Sequence, residues 1–209
     1  MSIKKYVQLP LGMQNAITTN AGLILSDFDP EKAYTAEELK KLILYATAGG
    51  MHISCAAIFR DAGADIDNCP KNAKELLDIE AWECKIHGTA LTVTDDSTTH
   101  ILGAADETVG ATDKATVAIK PRMSVDAVDF QTIWYVCAYG TTGGFIAVKL
   151  DNALNKGGFS LKTEDGKKGR FAFSYVGHTS MDAPDVVPFT FYLKAGEASA
   201  AEQVALDMT

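Results

Sequence analysis

The sequence predicts a mainly β protein, a β-sandwich or rolled barrel with short flanking helices. Three observations carry this. Apolar and polar residues alternate over residues 51–60 and 82–94, and again over 157–164 and 168–179. Glycine pairs at 49–50, 143–144 and 157–158 stand ahead of strand-like runs, not at helix starts. Helical patterns are short and fall on the excursions between strands, an order typical of a sandwich or barrel with helical decoration. With 209 residues, 47% of them hydrophobic, the chain has material for one sizeable core. It divides into an extended arm at 1–20, a β domain at 21–195 and a small, acidic, flexible tail at 196–209.

The elements follow in order. Residues 21–25 form a short apolar strand closed by Phe28-Asp29-Pro30. Thr35 and Glu38 make a capping box, so a helix follows, with Leu39, Leu42, Ile43 and Ala46 on one face and Gly49-Gly50 as its stop. In the strand at 51–60, Ile53, Cys55, Ala57 and Phe59 share one side. The excursion 61–80 begins as a loop and ends in a small helix capped by Asn72. In the strand at 82–94, Trp82, Cys84, Ile86 and Ala90 oppose Glu83, Lys85, His87 and Thr89. A short helix starts at Ser97 or Thr98. A strand at 116–120 stops at Pro121. Residues 130–139, apolar on both faces, read as a central, doubly covered strand, and 145–150 as its neighbour. A hairpin then runs over 157–164 and 168–179, its turn at Asp165-Gly166. In the last strand, 186–195, Val187, Phe189, Phe191 and Leu193 point inward.

Composition narrows the chemistry. There are 19 Lys and Arg against 27 Asp and Glu, a formal net charge of −8, which opposes a nucleic-acid grip built on phosphate neutralisation. No apolar run reaches the length of a membrane helix, and the first residues lack the apolar stretch of a signal peptide, so the reading is a soluble chain made in the cytosol. Cys55, Cys69, Cys84 and Cys137 form no C-x-x-C and read as reduced, mostly buried thiols; with His52, His87, His100 and His178 they show no zinc spacing. His178, Ser180 and Asp182 lie along one extended stretch, too far apart for a triad. Asp61, Asp65 and Asp67 match a calcium loop only in part. Neither a P-loop nor a dinucleotide fingerprint occurs. The expectation is no enzyme, no metal and no cofactor.

Several segments together point further. "NAGLILSDFDP", "DIDNCPKNAKEL" before "WECKIHGT", "IKPRMSVDAVDFQTIWYV", "GGFIAVKLDNALNKGGFSL" and "GRFAFSYVGHTSMDAPDVVPFTFYLKAG" cover most of residues 20–196. In these the chain resembles the major tail tube proteins of long-tailed bacteriophages of Gram-positive bacteria. The resemblance implies a non-catalytic virion protein. Its hexameric rings would stack into a hollow tube that carries double-stranded DNA into the host, each subunit giving two long hairpins to a shared inner β-barrel. It also implies partners: the protein itself, and tail terminator, tape measure and distal tail proteins.

Patterning assigns parts within that expectation. The four alternating segments would form the lumen wall, with Ser54, Glu83, Lys85, His87, Thr89, Ser160, Lys162, Glu164, Arg170 and Ser174 facing the channel. Residues 130–139 would belong to the outer sandwich. The loop 61–80 would project along the axis, with Asp61, Asp65, Asp67, Asn68, Pro70 and Lys71 touching the next ring. The competing reading is a β-sandwich that binds a carbohydrate or host surface, with Trp82, Trp134, Tyr135 and Tyr139 lining the groove.

Overall fold

The computed structural model describes residues 22–92, 95–110, 116–140 and 143–196. The expected arm at 1–20, and the expected tail apart from Gly196, lie outside these residues. Strand accounts for 51% of the structure and helix for 9%, so the class is mainly β. Nine strands join in one antiparallel sheet that does not close into a barrel. Among the described residues no helix is long and apolar enough to cross a membrane.

The first half of the sheet starts with β1 (Leu23–Leu25), flanked by β2 (Ile43–Tyr45) on one side and β7 (Gln131–Tyr139) on the other. β8 (Gly144–Asn155) pairs with β7, and β11 (Phe189–Lys194) closes this half against β8. Between β1 and β2 runs α1 (Ala36–Leu42), opened by the expected capping box: the Glu38 amide donates to Thr35 Oγ1 at 3.3 Å and the Thr35 amide donates to Glu38 Oε2 at 2.8 Å. The helix ends earlier than the sequence predicts. At Ile43 the chain turns extended, and Ile43 and Tyr45 pair with Leu25 and Ile24, so sheet pairing overrides the helical spacing of Ile43 and Ala46.

The second half holds β3 (Thr47–Asp61), β4 (Leu77–Ala90) and β10 (Arg170–Val176), with two-residue β9 (Leu161–Lys162) beside β10. β3 begins four residues before the expected start at Met51. Gly49 and Gly50, both at φ 80°, do not stop a helix; they form a bulge within β3, where three residues on β3 face one on β4. No helix forms after Asn72. That residue sits at φ 56°, whereas an N-cap is extended, and β4 starts at Leu77 because Leu77 and Ile79 pair with Asp61 and Phe59. α2 (Asp95–Leu102) then leads to a separate two-stranded ribbon, β5 (Ala105–Val109) with β6 (Val117–Pro121). The polar sequence of β5 hid it from pattern reading.

One strand joins the halves. Up to Leu150, β8 pairs with β7 and β11; Ala153 still pairs with Gln131 of β7, and Leu154 and Asn155 pair with β10. The register with β7 shifts in between, where Asn152 adopts φ 46°. A bulge there bends the strand out of one half and into the other. The halves then face each other across the core. Ile24, Tyr45, Ile133, Val148 and Leu150 meet Cys84, Ile86, Phe173 and Tyr175, all buried. Tyr45 stacks on Phe173 at 5.6 Å, and its hydroxyl lies 2.5 Å from that of Tyr175. On the far side of the first half, Leu25, Phe28, Trp134 and Ala147 pack beneath Leu39 and Leu42 of α1. β7 is thus covered on both faces, as its sequence predicts. β11 departs from expectation: Phe191 and Leu193 are 55% exposed, and Tyr192 packs against Trp134 instead.

The tyrosine pair makes a pH signature. Burial pushes the Tyr45 hydroxyl up to about 12, partly offset by its bond to Tyr175, and burial lifts Tyr175 well above the ordinary tyrosine range. An unfolded tyrosine ionises near ~10. Above that pH the unfolded chain binds fewer protons than the folded one, so stability falls as pH rises. The contribution is whole below about pH 10 and lost on the way to about 12. Urea unfolding should show a loss of about 1 kcal/mol per buried tyrosine between pH 10 and 11. Tyr45→Phe should flatten that slope; an unchanged slope would contradict the assignment.

Candidate functional site: a two-faced sheet with an open edge

The four segments assigned to a channel wall lie side by side, in the order β3, β4, β10, β9. Register fixes their faces, since alternate residues share a side. Ser54 pairs with Lys85, Ser174 with His87, Ala172 with Thr89, and Arg170 with Lys162; the Ala172 amide donates to Ser160 O. Ser54, Glu83, Lys85, His87, Thr89, Ser160, Lys162, Arg170 and Ser174 therefore share one face. Glu164 lies just past β9 and joins them through its ion pair with Lys162 at 2.9 Å. The sequence reading left out His52, which pairs with His87 and stacks on it at 4.6 Å. The alternation of 51–60 already placed His52 on this side.

Much of the charge on this face is paired internally. Lys85 contacts Glu83, while Lys162 and Lys167 both contact Glu164. The bonds from Lys167 and Lys162 hold the Glu164 carboxyl below the usual carboxylate range. Pairing of neighbouring opposite charges weakens the field of this face, although its named cations outnumber its named carboxylates.

The opposite face is apolar and runs past the core. Cys84, Ile86, Phe173 and Tyr175 are covered, whereas Trp82 is 40%, Leu77 42%, Ile79 52% and Phe59 58% exposed. A bulge makes this possible: Ile58 pairs with Ala81 and Phe59 with Ile79, so Glu80 is an extra residue. The skip keeps Ile79 and Leu77 on the apolar side. β10 reaches only to Lys85 along β4, so the distal half of the β3–β4 ribbon has no third strand, with residues 184–187 flanking it only near Ile79 to Trp82. An isolated two-stranded ribbon is marginal in water.

Among the described residues β3 is also the last strand in the sheet order, and no described strand pairs with its outer edge over 15 residues. The direction of its free groups follows from one bond. The Gly177 amide donates to Cys84 O at 3.0 Å, so Cys84 directs its backbone polar groups toward β10. Its partner Cys55 is then in a non-hydrogen-bonded pair and aims its own N–H and C=O outward. By alternation Ile53 and Ala57 do the same.

The loop after β3 is organised by one carboxylate. Asp61 Oδ1 accepts from the Gly63 amide at 2.9 Å, and Oδ2 accepts from the Asn72 amide at 3.0 Å. Asp65, Asp67, Asn68, Pro70 and Lys71 are exposed around this closure. Among the described residues no three His, Cys, Asp or Glu side chains gather as a metal site, Asp61, Asp65 and Asp67 included.

The remaining candidates fall apart in space or serve local structure. Ser180 Oγ accepts from the Asp182 amide, and His178 Nδ1 lies against Asn152 O at 3.1 Å. Trp134 is buried under α1, while Trp82 stands exposed on the second half, so the aromatic set lines no common groove. Cys84 and Cys137 are buried; Cys55 and Cys69 are half-buried. A further functional polar residue escaped the sequence reading. Buried Asn155 accepts from the Gly157 and Ser174 amides through Oδ1 and donates to Ile101 O, fastening β8, β10 and α2 together. The Asn-Lys-Gly-Gly run at 155–158 was its signal.

Asp61→Ala should leave the sheet intact and loosen residues 62–76, at a cost of about 1 kcal/mol per lost bond. Hydrogen exchange at the Gly63 and Asn72 amides checks this; undiminished protection would overturn it. Comparison with protein-family models and with curated protein sequences finds no match for this chain.

Proposed function

We propose that this chain is a structural tube-forming protein, the major tail tube subunit of a long-tailed bacteriophage. In this reading, copies join edge to edge into hexameric rings that stack into a conduit for double-stranded DNA. The observation that carries it is the 15-residue edge of β3, open among the described residues, on a sheet with one dry and one wet face. Such an edge is a template for another strand. At the far side of the same sheet, β9 is two residues long and also terminal. Pairing β3 of one copy with residues 159–163 of the next would continue the second half of the sheet around a closed cylinder and leave no bare edge in that wall.

The polar face would then be the lumen, and its internally paired charges suit a wall that cargo slides along without sticking. The exposed apolar side of the projecting ribbon would lie against the neighbouring subunit. The loop 61–76 would reach the next ring. Terminator, tape measure and distal tail proteins would meet the tube at its ends. The role needs no reaction, metal or cofactor, and the locale would be the virion tail.

Negative-stain microscopy of the purified protein should show rings or tubes of uniform width; a monodisperse monomer at high concentration would count against the reading. Ala57→Pro is the sharper probe. It removes an outward N–H that β4 does not use, so the monomer should keep its circular dichroism and melt within a few degrees of wild type. Ring formation should drop at least tenfold, and normal assembly would exclude β3 pairing. Replacing residues 64–71 by Gly-Ser should spare rings and stop stacking; undiminished tube growth would remove the loop from ring-to-ring contact.

A further inference from the structure

Cys55 and Cys84 stand directly opposite each other on β3 and β4. Their sulfurs lie 2.9 Å apart, nearer than two unbonded sulfurs ordinarily approach. The pair is of the non-hydrogen-bonded kind, as the Gly177 bond to Cys84 O shows. In such pairs the Cα atoms are about 4.5 Å apart, inside the window that a disulfide spans without backbone movement. Both side chains point to the apolar side of the sheet. Cys84 is fully buried and Cys55 half-buried, so a reagent reaches the pair through Cys55. The other two thiols have no such partner: Cys137 faces Ile146 across β8, and Cys69 Sγ lies near Pro70 O.

We propose that Cys55 and Cys84 are a disulfide-forming site, closed by exchange with a small disulfide such as oxidised glutathione. The Cys55 thiolate attacks one glutathione sulfur, forms a mixed disulfide and releases one glutathione thiolate. Cys84 loses its proton to solvent and attacks the Cys55 sulfur, which forms the Cys55–Cys84 bond and releases the second glutathione. Two protein thiols are oxidised and one glutathione disulfide is reduced to two thiols. Burial pushes the Cys84 thiol up, so the closing step is the slower one. Its nearness to Cys55 compensates for the small thiolate fraction. The bond would staple the two strands of the projecting ribbon once the protein leaves a reducing compartment. This holds whether or not the chain forms a tube.

The test uses the full-length protein, folded, with oxidised glutathione. Titration in denaturant should then find two free thiols out of the chain's four cysteines. The intact mass should fall by two hydrogens, and a peptide map should join the Cys55 and Cys84 peptides. Cys84→Ser should stop at a glutathione adduct on Cys55, and Cys55→Ser should yield no internal disulfide. The oxidised protein should melt roughly 5 °C higher than the reduced one. Four free thiols after treatment, a link through Cys69 or Cys137, or a wild-type protein that halts at the mixed disulfide would each overturn the proposal.

Discussion

The structure depends on one strand belonging to both halves of the sheet. β8 leaves β11 after Leu150, keeps one last pair with β7 at Ala153 beyond the register shift, and joins β10 at Leu154. The left-handed backbone at Asn152, φ 46°, is what makes the corner, and asparagine tolerates it better than most residues. His178 grips the corner from the other side: its amide donates to Asn152 O, and its own carbonyl accepts from Asn152 Nδ2. Asn155 then satisfies two amides and a carbonyl that the bend would otherwise bury unpaired. The facing of the two halves, and so the contact of Tyr45 with Phe173 and Tyr175, follows from where this strand turns.

From that corner the layers follow. α1 covers one side of the first half, and the second half covers the other. Among the described residues nothing covers the outer side of the second half, where serines, histidines, lysines and glutamates stand in register. Its inner side is spent on the core near Phe173 and left bare toward Phe59. The monomer thus has a satisfied interior beside an unsatisfied ribbon, and the imbalance sits at one end. A lone globular domain blunts such edges with short strands, charges or proline; β3 carries none of these along residues 51–59.

What the sequence made legible was period. Ile53, Cys55, Cys84, Ile86, Phe173 and Tyr175 could be assigned to one side because two-residue alternation survives without knowing the partner strand. The polar candidates from Ser54 to Ser174 followed by complement. Pairing was not legible. Ile43 fits a helix face as well as a strand, and only its partner Leu25 decides. Gly49-Gly50 reads as a stop until β4 is found opposite it. Asn72 reads as a cap until its backbone proves left-handed. In β11 the alternation of Phe189, Phe191 and Leu193 was real, but on this edge strand only Phe189 packs against the core, and Phe191 and Leu193 stay exposed although every residue pairs with β8.

Glu80 shows how little separates one hairpin from its mirror arrangement. A single unmatched residue there brings Leu77 and Ile79 onto the side of Phe59, with Glu80 itself carried out of line. Parity therefore governs any change of length in this arm. Adding or removing two residues within 78–83 would keep its greasy and wet sides, whereas one would exchange them along everything distal. Variants of this arm can be expected to grow or shrink in even steps, with single-residue changes confined to the loop beyond Asp61.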